Sequence, residues 1–348
     1  MLQKRYTASL IGCGRIGWTL GYDKLREQPA SHTMALKANK RIQLLAGCDT
    51  DSDSLQKWGK ANRECKVFSS AEELFRECKT DIVTVAVNED AHIKIALEAI
   101  KNKPKLLILE KPVALNTEEA LQLKNAAEEN KVPVLVNHER RFALDYKLAA
   151  EYLTQIGEIQ SINASLYSGM KVYDKSEEAT GAYSLIHDGT HLVDIVLFFL
   201  EALQKKENPD ANKPILNQPS VSGIWRDEKG SVRNVSASYS LPSVPCVTIS
   251  ISGRSKYFGF EVDIRGTKGR ILIGNGFFNI YMSKESKIYT GFKSLEEIKF
   301  KRPKKTLYFA NMIQNAVDFL DGKAELRSTL QTGMNALAVL EEIKSALT

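Results

Sequence analysis

The groups in this chain best suited to moving a proton to or from a hydroxyl are the amine of Lys111 and the imidazoles of His187 and His191. Lys111 lies in Glu110-Lys111-Pro112, directly after the apolar run Leu106-Leu107-Ile108-Leu109. A proline restricts the backbone of the residue before it, which helps fix the direction of Lys111. A held ammonium can stabilise an alkoxide or take part in proton transfer. Taken alone, it reads more readily as a surface lysine. His187 and His191 lie four residues apart in Ser184-Leu185-Ile186-His187-Asp188-Gly189-Thr190-His191-Leu192-Val193-Asp194. That spacing places both rings on one face if the stretch is helical, and imidazole titrates near neutral pH. Asp194 follows His191 by three and could orient its ring. The same spacing can bind a metal, but no third ligand accompanies it, so no metal site is expected. The plain alternative is a polar helix start with a capping aspartate.

A phosphate site precedes these groups. Gly12-Cys13-Gly14-Arg15-Ile16-Gly17 follows an apolar strand in the pattern G-x-G-x-x-G. The first glycine allows the turn, the second lets backbone approach a pyrophosphate, and the third lets helix and strand pack closely. A helix directly after the turn is expected to aim its free N–H groups at the phosphates. A second strand ends at Asp49, which is expected to accept from ribose hydroxyls and to favour NAD over NADP. Residues 48–53 carry Asp49, Asp51 and Asp53 with no Lys or Arg, so a 2′-phosphate would meet repulsion. Asp49 comes 35 residues after Gly14 instead of about 20. Residues 22–33 therefore read as a loop inserted in the first crossover, with His32 as a solvated residue in it.

Other candidates follow later strands. Val87, Asn88 and His92 lie where the fourth parallel strand ends, on the side of the sheet where ligands bind. Arg140 and Arg141, with Tyr146 behind them, lie near residue 137, where the texture changes. Such junctions commonly house ligands. The arginines could clamp an anion or form salt bridges, and His138 reads as a packed histidine.

These groups need a frame. Residues 1–137 alternate strand and helix, with strands at 6–11, 42–48, 65–68, 82–87, 106–109 and 134–137 and helices such as 91–101 and 117–129. Asn116 reads as a helix cap. This is a doubly wound α/β pattern. Residues 138–348 instead offer helices at 144–155, 190–203, 310–320 and 330–347. Strands there fall at 159–167, 220–225, 232–240, 246–252, 258–264, 269–273 and 277–282. This predicts an α+β domain with a mostly antiparallel sheet covered on one face, the last helices packing back on the first domain. The polar stretch 204–219 reads as a loop.

At 348 residues the chain has room for two domains. Five scattered cysteines with no C-x-x-C fit reduced thiols and a cytoplasmic setting. No N-terminal signal or membrane-length apolar run is evident. The net charge of +6 is mild. The basic run 299–305 reads as an exposed loop, since no nucleic-acid motif accompanies it.

Together, the glycine turn, Glu110-Lys111-Pro112, Asn137-His138-Glu139-Arg140-Arg141-Phe142 and Gly189-Thr190-His191-Leu192-Val193-Asp194 resemble, in that order, the Gfo/Idh/MocA family of oxidoreductases. The resemblance implies a Rossmann domain followed by an open-faced, mostly antiparallel sheet. It implies bound NAD(P), a sugar or cyclitol substrate, and a homodimer or homotetramer formed through the sheet. It makes Lys111 and His191 the catalytic pair. Gly12, Gly14, Arg15, Ile16, Gly17, Asp49, Val87, Asn88, His92, Glu110 and Lys111 would contact the cofactor. Lys111, Arg140, Arg141, Tyr146 and His191 would contact the substrate. Many members place an aspartate four residues before the histidine. Here that position is His187, so Asp188 or His187 takes the acid's place. Reactions without net redox change, or a non-catalytic dinucleotide sensor, are the competing expectations on the same scaffold.

Overall fold

The computed structural model describes residues 5–207 and 216–348. The chain forms two compact units, residues 1–143 with 305–334 and residues 144–304 with 335–348. The expected boundary at 137 therefore moves to Ala143, because the segment after the sixth strand closes the core of the first unit.

Six strands build the first unit: β1 (Tyr6–Ile11), β2 (Ile42–Cys48), β3 (Lys66–Phe68), β4 (Ile82–Val85), β5 (Leu106–Leu109) and β6 (Val134–Val136). They pair in parallel in the order β3-β2-β1-β4-β5-β6. The order reverses between β1 and β4, and in such sheets the crevice at the carboxyl ends of the reversing strands binds ligands. Every residue of β4 and β5 is buried, as helices on both faces require. The helices are α1 (His32–Ala38), α2 (Ser52–Ala61), α3 (Ala71–Glu77), α4 (Glu89–Lys101) and α5 (Thr117–Asn130). Ser31, Asp51, Ser70 and Asn116 cap four of them, each side chain accepting a backbone N–H. The fourth strand stops at Val85 instead of 87, because α4 already begins at Glu89.

The second unit holds an eight-stranded sheet. Its strands are β7 (Ile159–Tyr167), β8 (Ser220–Arg226), β9 (Val232–Tyr239), β10 (Cys246–Ser252), β11 (Gly259–Gly266), β12 (Gly269–Gly274), β13 (Phe277–Glu285) and β14 (Lys293–Glu297). Their order is β14-β13-β12-β11-β7-β10-β9-β8, antiparallel except where β10 runs parallel to β7. Alternating burial along β7 and β9 shows one covered face and one open face. The helices α6 (Leu144–Tyr152), α7 (Ser184–His187) and α8 (Gly189–Glu207) belong to this unit. Residues 204–207 continue α8 instead of starting a loop, and the middle of that expected loop lies outside the described residues. Edge strand β14 gave no sequence signal, because Lys293, Glu296 and Glu297 leave it without an apolar face.

The chain then returns to the first unit with α9 (Tyr308–Leu320), and α10 (Leu330–Ser345) follows. Phe309, Met312, Ile313 and Val317 of α9 join Leu10, Ile108, Leu135 and Phe142 in the first unit's core. Beneath β2, Trp58 is fully buried against Gly47, where an added Cβ would lie 2.5 Å from the ring. Its Nε1 donates to Thr33 Oγ1 at 2.9 Å. Trp58→Ala is expected to cost about 3–5 kcal/mol through the cavity it leaves. A urea titration followed by far-UV circular dichroism would read this as an earlier first transition.

Candidate active site

The glycine turn lies where the strand order reverses, and each glycine has its own steric reason. Gly12 has φ +96°, and a Cβ there would fall 2.2 Å from Ala86 O at the end of β4. A Cβ on Gly17 would fall 1.9 Å from Gly12 O. Around Gly14 a Cβ would meet nothing within 4 Å, so this face of the turn is open to a ligand. Among the described residues, the N–H groups of Gly14, Arg15, Ile16 and Gly17 donate to no protein acceptor. Successive unengaged N–H groups beside open space suit a phosphate. The expected helix does not follow directly. A single turn closes from Trp18 N to Gly14 O, a short 3-10 segment spans Thr19–Tyr22, and α1 starts only at His32. The turn's own N–H groups, and not a long helix, offer the donors.

Asp49 holds this turn from the neighbouring strand. Its Oδ2 accepts from Cys13 N at 2.7 Å and its Oδ1 from Asp51 N at 2.9 Å. A carboxylate has room for further donors, such as ribose hydroxyls. Burial pushes the Cys48 thiol up to about 12 and raises that of Cys13 as well, so both stay neutral beside the turn.

The Glu110-Lys111-Pro112 loop leaves the carboxyl end of β5. Glu110 is 4% exposed and accepts three hydrogen bonds. His32 Nε2 lies 2.6 Å from its Oε1, Asn137 Nδ2 donates to the same oxygen at 2.5 Å, and Lys111 N donates to Oε2 at 3.2 Å. An ionised carboxylate only accepts, so the His32 proton sits on Nε2. Burial works to raise the Glu110 pKa. The bonds from His32 and Asn137 and the positive charge of Lys111 outweigh it and bring the pKa down to about 2. His92, on α4, is 1% exposed and places Nδ1 2.8 Å from Pro112 O. Its pKa is lowered, chiefly by burial, which keeps the ring neutral. It supports the loop from beneath. Val87 is half-buried and Asn88 exposed at the start of α4. The solvated position expected for His32 is overturned, since its side chain is fully buried against Phe309. Ser31 before it is an N-cap residue, the one signal that would have put His32 at a helix start.

Arg140 and Arg141 occupy a 3-10 turn, Glu139–Phe142, just after β6. Arg140 bonds Glu139 at 3.4 Å, while Arg141 is buried. Within the second unit the helix over the histidines is broken at Asp188. The four-residue α7 ends at His187 and α8 begins at Gly189, which packs against Ile251 and Leu340. His187, Asp188 and His191 are each partly exposed, while Thr190 and Asp194 are buried. Tyr146 is buried near Phe199, at 6.2 Å between ring centres. Among the described residues no group of three or more His, Cys, Asp or Glu could hold a metal ion, and no helix is long and apolar enough to cross a membrane.

Residues 7–138 match the sequence model of the Gfo/Idh/MocA oxidoreductase family, NAD-binding Rossmann fold. The chain is similar to an uncharacterised oxidoreductase of Synechocystis, 24% identical over 71% of this chain and 68% of the relative. It is 26% identical to the NADP(+)-dependent scyllo-inositol 2-dehydrogenase of Bacillus subtilis over 38% of each chain. Its fold is shared by the WlbA dehydrogenase of Bordetella pertussis, solved with NADH and UDP-GlcNAcA. The TM-score is 0.71 at 18% identity, covering 99% of this chain and 97% of that one.

Two outcomes follow from the geometry. Gly14→Ala should change stability by no more than about 0.5 kcal/mol, since the added Cβ meets no atom within 4 Å. The same variant should weaken NAD binding about tenfold or more, equivalent to about 1.4 kcal/mol, in a calorimetric titration. Because the folded-state pKa of Glu110 is depressed, its contribution is present above its ordinary value and lost as pH falls from about 4 through about 2. Acid titration of Glu110→Gln should lack that part of the wild-type loss.

Proposed function

We propose that this chain, whose residues 7–138 match the NAD-binding domain of the Gfo/Idh/MocA oxidoreductase family, is an oxidoreductase that transfers hydride to or from a secondary hydroxyl carbon of a sugar, sugar derivative or cyclitol. The reading is carried by Lys111. Its backbone is held at the carboxyl end of β5, on the same sheet edge as the open face of the glycine turn. When bound, the nicotinamide supplies the hydride acceptor or donor. The N–H groups of Gly14–Gly17 would hold its pyrophosphate and Asp49 its ribose. NAD is favoured over NADP, because Asp49, Asp51 and Asp53 oppose a 2′-phosphate with no basic residue in 48–53.

The remaining steps belong to side chains. Lys111 Nζ polarises the reacting oxygen and stabilises the alkoxide. The His191 ring takes or returns the hydroxyl proton, with Asp188 or His187 tuning it. Arg140, Arg141 and Tyr146 form the substrate contacts. The substrates of similar dehydrogenases, an inositol and a nucleotide sugar by their names, support a polyol. A cytoplasmic homodimer or homotetramer completes the proposal.

A screen of sugars, cyclitols and nucleotide sugars should yield NADH. Lys111→Ala is expected to lower kcat about a hundredfold or more while NAD still binds. Near-normal turnover in that variant would reject the role of Lys111. Turnover without net NADH would replace oxidation by an internal redox cycle.

A further inference from the structure

We infer that His32, Glu110 and Asn137 form a buried positioning cluster that sets the direction of Lys111 and ties it to the phosphate turn. The inference rests on the reading of Lys111 given above.

Three facts carry it. First, His32 and Asn137 are fully or nearly fully buried, and Glu110 is the polar side-chain partner of both. Among the described residues His32 Nδ1 and Asn137 Oδ1 meet no hydrogen-bond partner. Burying half-used polar groups lowers stability. An apolar pair of the same volume would serve the core better, so stability alone does not account for the cluster. Second, the polar contacts form one unbroken path. His32 N donates to Ile16 O at 3.0 Å in the turn, His32 Nε2 meets Glu110, and Glu110 Oε2 receives the amide of Lys111. Thr33 reinforces the start of the path, donating from N and Oγ1 to Gly17 O at 2.9 and 2.7 Å. Third, the loop is held on its far side as well, where His92 bonds the carbonyl of Pro112. The loop of Lys111 is thereby held before and after its own residue, and the front tie runs to the backbone of the glycine turn.

The cluster touches no reacting atom, so its members are positioning residues. Cutting the tie should leave the phosphate turn able to bind dinucleotide and should misdirect the amine. The test uses the full chain. Lysines are reductively methylated with 13C-formaldehyde, the Lys111 signal is identified by its loss in Lys111→Arg, and NAD alone is titrated. In the wild type that signal moves on NAD binding. In Glu110→Gln and in His32→Leu, which keeps most of the side-chain volume, the movement should fall by more than about half. With a polyol that yields NADH, kcat should drop about a hundredfold, as for a misplacement of about 1 Å, while the KM for NAD changes less than about threefold. His32→Gln restores an N–H donor and should recover most of both losses.

Folded Glu110→Gln and His32→Leu variants that keep the Lys111 response and kcat within about twofold would overturn the inference. So would equal falls in melting temperature and NAD affinity with kcat unchanged, since the cluster would then be structural only. The NAD-only readout separates this inference from the catalytic reading, which fails instead if Lys111→Ala still turns over.

Discussion

Backbone contact closer than any side chain would allow organises the first unit. Gly12 passes Ala86 O and is itself met by Gly17, with hypothetical Cβ distances of 2.2 and 1.9 Å. Those approaches let the chain leave β1 beside the end of β4, where the strand order turns back on itself. A Cβ at either position would push the turn off the sheet. The turn of residues 14–17 would then leave the end of β1, and Ile16 and Gly17 would no longer meet His32 and Thr33.

Glu110 is the second constraint, and it is electrostatic. A carboxylate under a parallel sheet edge is costly unless donors surround it. Here an imidazole, an amide and a backbone N–H do so, and they come from α1, the end of β6 and the loop itself. The ion therefore binds three separated stretches of chain at one point. The nearby cation of Lys111 helps keep it ionised, so the charge of the pair is part of what holds the amine's own loop.

Much of this was legible beforehand, for identifiable reasons. Buried parallel strands read as largely apolar runs, so β1, β2 and β5 were placed to the residue. Asn116 was seen as a cap because its type and the acids after it suit a helix start, and Oδ1 does accept from Glu119 N at 2.9 Å. The glycine spacing located the turn. Other features were silent. Charged edge strand β14 has no periodic signature. Helix α7 and the break after it gave no sequence signal, because the break at Asp188 depends on Gly189 packing between β10 and α10. His32 was misplaced because polar neighbours made 22–33 look like solvated loop, while its partner Glu110 lies 78 residues away.

What residue order alone determined is the set of local commitments: apolar periodicity, turn glycines, caps, and the placing of Lys111 immediately before a proline. Each depends on neighbours within a few positions, where sterics and hydrogen bonding act without help. Tertiary structure decided which polar groups lose water. Glu110 and His92 read as cofactor contacts on spacing alone, and tertiary structure shows both buried, bonded to His32, Asn137 and the carbonyl of Pro112. A side chain's role at this site depends on which oxygen or nitrogen replaces its hydration. That replacement comes from strands and helices far away along the chain.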